Sequence, residues 1–148
     1  MIIDFIKNHS FFHGWKEEYL EKILEISSLE TFPKGHRIIN EGFSADKFYI
    51  IVNGLVEIKS MDVSLQLLGA GEILGWSWLI YPYVWNFSAE CVKETIAVSI
   101  DAEKLRKIFE EIKEIECLIY KNMFNIVSNR LKSARQKIIE LSIHGQSN

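Results

Sequence analysis

Phe48-Tyr49-Ile50-Ile51-Val52-Asn53-Gly54-Leu55-Val56-Glu57-Ile58 is the stretch that decides the fold class. Its first five residues are aromatic or β-branched, the composition of a half-buried strand. Asn-Gly between two such runs is a strong local signal for a two-residue hairpin turn. The spacing therefore predicts a strand over 48–52, a tight turn at Asn53-Gly54 and a returning strand over 55–58. Working outward, Ser64 to Leu68 and Thr95 to Ile100 carry the same strand chemistry, and glycines at 35, 42, 54, 69, 71 and 75 punctuate the region. Many short strands with turns at close spacing imply a sandwich or barrel.

The flanks change period. Lys16 to Ser28 places Tyr19, Leu20, Ile23, Leu24 and Ile26 on one helical stripe. Asp101 reads as an N-cap, although Lys104 stands where a capping box would want Glu or Gln. Beyond it, Cys117, Tyr120, Phe124, Val127, Leu131, Ala134, Ile138 and Leu141 follow a 3-4 spacing, the seam of a helix packed on a partner helix. A second apolar face is formed by Ile112, Ile115, Ile119, Met123 and Ile126. Both faces could be intrachain core. The reading preferred here sets one against the β-region and the other, Tyr120, Phe124, Val127, Leu131, Ala134 and Ile138, against a second copy, because a small domain has little else to cover so long a helix. The fold class is thus α+β, mainly β. One domain spans 1–148, with a helical lead over 1–28, a β-barrel over 29–100 and C-terminal helices over 101–143, and the tail from His144 to Asn148 is expected to fray.

Bulk properties narrow the function. The 148 residues are 48% hydrophobic and 25% charged, ordinary values for a globular chain able to bury its own core. A net charge of −3 argues against general nucleic-acid affinity. Cys91 and Cys117 form no metal-ligand pair and are expected to be reduced core residues. The apolar run at Met1 to Lys7 is too short for a signal peptide, and no segment is apolar enough to span a membrane, so the default is a cytoplasmic protein.

One stretch carries the functional signal: Gly75-Trp76-Ser77-Trp78-Leu79-Ile80-Tyr81-Pro82-Tyr83-Val84-Trp85-Asn86-Phe87-Ser88-Ala89. It opens on a glycine after an apolar run and holds three of the four tryptophans. Its outline is that of a phosphate-gripping loop, yet Ser60 through Val92 contains no Lys, Arg or His. Elsewhere, no Ser-His-Asp or Cys-His constellation assembles, so no catalytic residues are assigned and an enzyme is not expected. His36 is the only histidine of the β-region, too few for a metal site, and reads as a turn residue. His9, His13 and His144 are expected to be solvated. Glu72 and Glu90 bracket the aromatic stretch, either as ligand contacts or, more commonly, as surface carboxylates. The basic residues of the last helix, Arg130, Lys132, Arg135 and Lys137, read as a solvated face.

Phe11-Phe12, Phe32-Pro33-Lys34-Gly35, Ile39-Asn40-Glu41-Gly42 and Phe48 through Val56, in this order, resemble the cyclic-nucleotide-binding domain of the catabolite activator protein and of protein kinase A regulatory subunits. The resemblance covers Phe11 to Leu141. It implies a jelly-roll-like β-barrel (a double-stranded β-helix) flanked by N-terminal helices and a long C-terminal helix, with ligand contacts gathered in a phosphate-binding cassette. That cassette falls on Gly75 to Ala89, and its usual pattern is Gly-Glu-Leu-Ala, a loop, then Arg-Ser/Thr-Ala. Gly75, Ser88 and Ala89 match. Trp76 stands where the ribose-binding Glu belongs, and Phe87 where the phosphate-pairing Arg belongs. The tryptophan-rich segment also looks like that of bacterial single-domain members.

Losing that Arg forfeits a charge-assisted contact of about 1.5–3 kcal/mol, roughly ten- to a hundred-fold in affinity. Cyclic AMP in the usual pose is therefore not expected. The resemblance implies a short helical turn over Trp76 to Leu79, whose free N–H groups attract negative charge. Two readings stay open. In the first, Trp76, Ser77, Trp78, Leu79, Trp85, Phe87, Ser88, Ala89 and Gly75 line a modified pocket for an aromatic or apolar, nucleotide-like small molecule, and the chain is a regulatory sensor. In the second, the rings fill the cavity, and the chain is a dimeric interaction or scaffold protein. Transcriptional members carry a helix-turn-helix after the long helix. Only a few residues follow Leu141, so direct DNA binding is not expected, and no cofactor is implied.

Overall fold

The computed structural model describes residues 2–146. The chain divides into two compact units, one ending at Glu111 and the other beginning at Ile112. The first opens with α1 (Ile2–Asn8), a one-turn 3₁₀ helix (Ser10–Phe12) and α2 (Glu17–Glu25). Eight strands follow: β1 (Ser27–Phe32), β2 (Arg37–Ile39), β3 (Lys47–Asn53), β4 (Leu55–Ser60), β5 (Val63–Gly69), β6 (Ile73–Leu74), β7 (Ser88–Cys91) and β8 (Thr95–Asp101). They form two four-stranded antiparallel sheets, ordered β1-β8-β3-β6 and β2-β7-β4-β5. This is the jelly-roll-like arrangement expected. Alternate residues of the strands supply its core, among them Phe48, Ile50, Val56, Ile58, Leu68, Ala89, Val98 and Ile100.

Two local expectations are corrected. Asn53-Gly54 does not make a hairpin, because β3 pairs with β6 and β8 while β4 pairs with β5 and β7. Gly54 (φ +127°) instead turns the chain from one sheet into the other, passing so close to Thr95 that a Cβ there would lie 2.6 Å from the Thr95 Cα. The two-residue hairpin of the fold is β4–β5, turned by Met61 (φ 52°) and Asp62 (φ 63°), with Ser60 paired to Val63. The helix expected over Lys16 to Ser28 ends at Glu25, since Ser27 and Ser28 already pair with Ile100 and Ser99 in β1. The end of α2 is held by the Ser27 hydroxyl, which donates to the Ile23 carbonyl at 2.6 Å.

His9 is not simply solvated. Its Nδ1 accepts from the Phe11 N–H at 3.1 Å, which leaves Nε2 to donate to the Gly71 carbonyl at 2.7 Å. The ring thereby ties the N-terminal lead to the β5–β6 turn.

After β8 the Asp101 carboxylate accepts the Lys104 N–H at 2.9 Å, as an N-cap should, and α3 (Ala102–Glu111) follows. Its buried side is Ala102, Leu105, Ile108 and Phe109. The second unit is α4 (Lys113–Gln146). Ile115, Ile119 and Met123 are buried on it, whereas Phe124 (72%), Leu131 (64%) and Ile138 (67%) are exposed. Cys117 is exposed too, against expectation. It lies two residues from Ile115 and from Ile119, about 200° round the helix from each, which turns it away from that buried stripe. The helix is continuous through Gln146, and the remainder of that tail, Ser147 and Asn148, lies outside the described residues. No helix of the described residues is long and apolar enough to cross a membrane.

Candidate functional site

The segment 75–89 begins where β6 ends. Leu74 pairs with Tyr49 of β3, and Gly75 then turns with φ +70°. No side chain fits at Gly75: a Cβ there would stand 2.6 Å from the Trp85 ring and 2.8 Å from the Phe87 ring. Trp76 caps a one-turn 3₁₀ helix, Ser77–Leu79, the helical turn the resemblance implied. Ser77 is buried.

Trp78 is the anchor of the segment. Its side chain is 0% exposed and lies parallel to the Phe48 ring, centroids 4.3 Å apart and planes 8° from each other. Its indole N–H donates to the Gly75 carbonyl at 3.3 Å, so the polar edge of the ring is answered within the loop itself. Ile80 and Tyr81 are exposed at the loop tip. Tyr83 takes a left-handed backbone (φ 58°), and its carbonyl accepts the Ala45 N–H at 2.7 Å. Trp85 is fixed on both sides by backbone bonds with Phe43 and Gly42, each 2.9 Å. Its ring meets Phe87 edge-on at 5.5 Å, directly over Gly75.

Ser88 and Ala89 enter β7, both buried. The Ser88 hydroxyl oxygen accepts the Glu41 N–H at 3.0 Å. The structure therefore brings Trp85 and Phe87 together over Gly75 and joins Trp78 to them only through its bond to the Gly75 carbonyl, with Ser88 turned to a neighbouring loop. Glu72 and Glu90 serve other partners: Glu72 accepts the Gly69 N–H at 2.7 Å, and Glu90 lies 3.6 Å from Arg37 and 3.7 Å from Lys59.

Those two cations line a cavity of about 340 Å³ together with Glu41, Asp62 and Ser88, so it borders the end of the segment. Its charges balance, two of each sign, so it lacks the net positive field of a phosphate site. Among the described residues no group of His, Cys, Asp or Glu is placed to hold a metal ion. Burial pushes the Cys91 thiol up from its ordinary range despite the opposing hydrogen bond of Thr95.

Arg106 of α3 is the residue that sequence reasoning missed. Its guanidinium donates to the Trp78 carbonyl at 2.7 Å and stacks on the Tyr83 ring at 4.0 Å. Nothing in its sequence position distinguishes it from a solvated helix residue. Phe48, read only as a strand residue, turns out to be the platform for Trp78.

Comparison with known proteins agrees with this architecture. The family model described as cyclic nucleotide-binding domain matches residues 29–112, more than half of the chain. A CRP-like cAMP-activated global transcriptional regulator of Mycobacterium tuberculosis is 27% identical over 115 residues, which are 74% of this chain and 50% of the regulator. The chain thus spans about half the length of the curated relatives that it matches first. A solved putative cyclic nucleotide-binding protein of Geobacter metallireducens superposes with a TM-score of 0.83 at 28% identity, covering 88% of this chain and 98% of that one. The catabolite activator protein of Thermus thermophilus shares the fold with a TM-score of 0.67 at 24% identity, over 89% of this chain and 62% of that one. With two antiparallel sheets, a cassette-like turn after β6 and a matching family model over its β-region, the chain belongs to the cyclic nucleotide-binding domain family.

Proposed function

We propose that the chain is a non-enzymatic regulatory module whose cassette is packed shut by its own aromatic side chains, and which does not take a cyclic nucleotide in the usual pose. The observation that carries this reading is Trp78, wholly buried and stacked on Phe48, with Trp85 and Phe87 closed over Gly75. An anion placed there would meet rings in place of a guanidinium, and an unpaired charge against an apolar wall is strongly disfavoured. Of the two readings of the segment, the filled one is favoured, because a stacking ligand would have to displace rings already satisfied by one another. Thermal melts test it. A ligand at a hundred times its Kd stabilises by about 2.7 kcal/mol, which for a domain of this size raises Tm by roughly 5–11 °C. Millimolar cyclic AMP and cyclic GMP are expected to leave Tm unmoved, and a rise of several degrees with either would contradict the reading.

The output surface is α4. Tyr120, Phe124, Leu131 and Ile138 are exposed along one seam, with Val127 and Ala134 at the positions between them. Their 3-4 spacing is that of a coiled-coil interface, which supports self-association of two copies through this helix. Leu131→Asp would bury a carboxylate at the centre of the seam. It is expected to shift the sedimenting species from dimer to monomer at micromolar concentration without unfolding the β-strands; an unchanged dimer would rule out this seam.

A further inference from the structure

We propose that Arg106 is a clamp that ties the loop 78–83 to α3, so that the two segments loosen together. The proposal gives the regulatory reading above its moving contact and rests on it. The guanidinium reaches both sides of the loop at once: it donates to the Trp78 carbonyl at 2.7 Å on one side and lies 4.0 Å from the Tyr83 ring on the other. The Trp78 carbonyl lies in a one-turn helix too short to satisfy its own carbonyls, so an external donor has a definite task there. A charged donor makes that bond stronger than a neutral one, and the planar fork can bond and stack at the same time.

The contact also answers the gap in the sequence. Ser60 through Val92 supplies no cation of its own, and Arg106 brings one in from the following helix. Leu105, Ile108 and Phe109, all buried, fix the face of α3 from which Arg106 projects. The start of α3 is anchored independently, by Asp101 on the Lys104 N–H and by the Ala102 N–H on the Asp46 carbonyl at 2.9 Å. Loosening through Arg106 is thus directed to the body of the helix beyond its cap. Tyr83 is in turn held to the barrel by the Ala45 N–H.

Hydrogen exchange on the full chain without added ligand is the test. In Arg106→Ala, amides of 76–84 and of 105–111 are both expected to exchange on the order of tenfold faster, equivalent to about 1.4 kcal/mol, while those of β3 and β8 keep their native rates. Arg106→Lys, which retains the charge and one bond but not the planar stack, is expected to fall between. Faster exchange confined to 76–84, or an equal rise in β3 and β8, would overturn the clamp. These results are separable from the nucleotide melts: a cyclic nucleotide that stabilised the native chain would overturn the closed-cassette reading and leave the exchange pattern to stand or fall by itself.

Discussion

Trp78→Ala is expected to cost about 3–5 kcal/mol of stability, the range for deleting a large buried aromatic side chain. At roughly 2–4 °C per kcal/mol for a domain of this size, Tm should fall by about 6–20 °C. The loss has three parts. The ring is 0% exposed, its parallel stack on Phe48 disappears, and the Gly75 carbonyl loses the indole N–H. Removal of so large a buried ring also leaves a void under the 3₁₀ turn. A two-probe melt, far-ultraviolet dichroism and tryptophan fluorescence, checks it. A fall of less than 2–3 °C would mean that the indole is a mobile lid, which is what an open aromatic pocket requires.

Gly54→Ala is the second large effect, expected at about 2–6 kcal/mol. Two costs add. A φ of +127° is a region L-residues rarely enter, worth about 1–3 kcal/mol of strain. The new methyl would also fall 2.6 Å from the Thr95 Cα, a backbone atom of the central strand β8 that cannot swing aside, for roughly another 1–3 kcal/mol. Gly35→Ala provides the control, since Gly35 shares a positive φ (+86°) but a Cβ there meets nothing within 4 Å. Gly35→Ala should pay the backbone strain alone. Equal losses of stability in the two variants would show that the close pass of Gly54 over Thr95 does not matter.

The same glycine explains where the sequence could and could not be read. Asn-Gly between two β-runs announces a turn, but local turn chemistry is the same whether the chain doubles back or crosses to the facing sheet. Only long-range pairing of β3 with β8 and of β4 with β7 decides between them. The converse failure is Met61-Asp62. This turn uses two side-chain-bearing residues at positive φ, where reading from composition looks for Gly or Asn. Strand positions, the Asp101 cap and the 3₁₀ turn at Ser77–Leu79 were legible because each rests on periodicity, a single short-range bond or a shared motif.

The segment 75–89 could be singled out in the sequence as a candidate, and its packing could not. Trp76 and Phe87 could be placed against a family pattern, but whether their neighbours open or close a cavity depends on partners distant in sequence, such as Phe48 for Trp78 and Phe43 for Trp85. Arg106 lies 28 residues beyond the carbonyl it bonds, on a helix whose other features are ordinary. Cys117 failed for a simpler reason. An apolar stripe read from spacing alone does not say which of two faces is covered.

The central claim is that aromatic side chains occupy the position of the cyclic phosphate. It is tested most directly by titrating the full chain with cyclic AMP and following the backbone amide resonances of Gly75, Ser77, Ser88 and Ala89. On the proposed reading, in which Trp78, Trp85 and Phe87 close the segment, these four should stay in place up to millimolar nucleotide. Saturable shifts of all four at micromolar nucleotide would contradict the account.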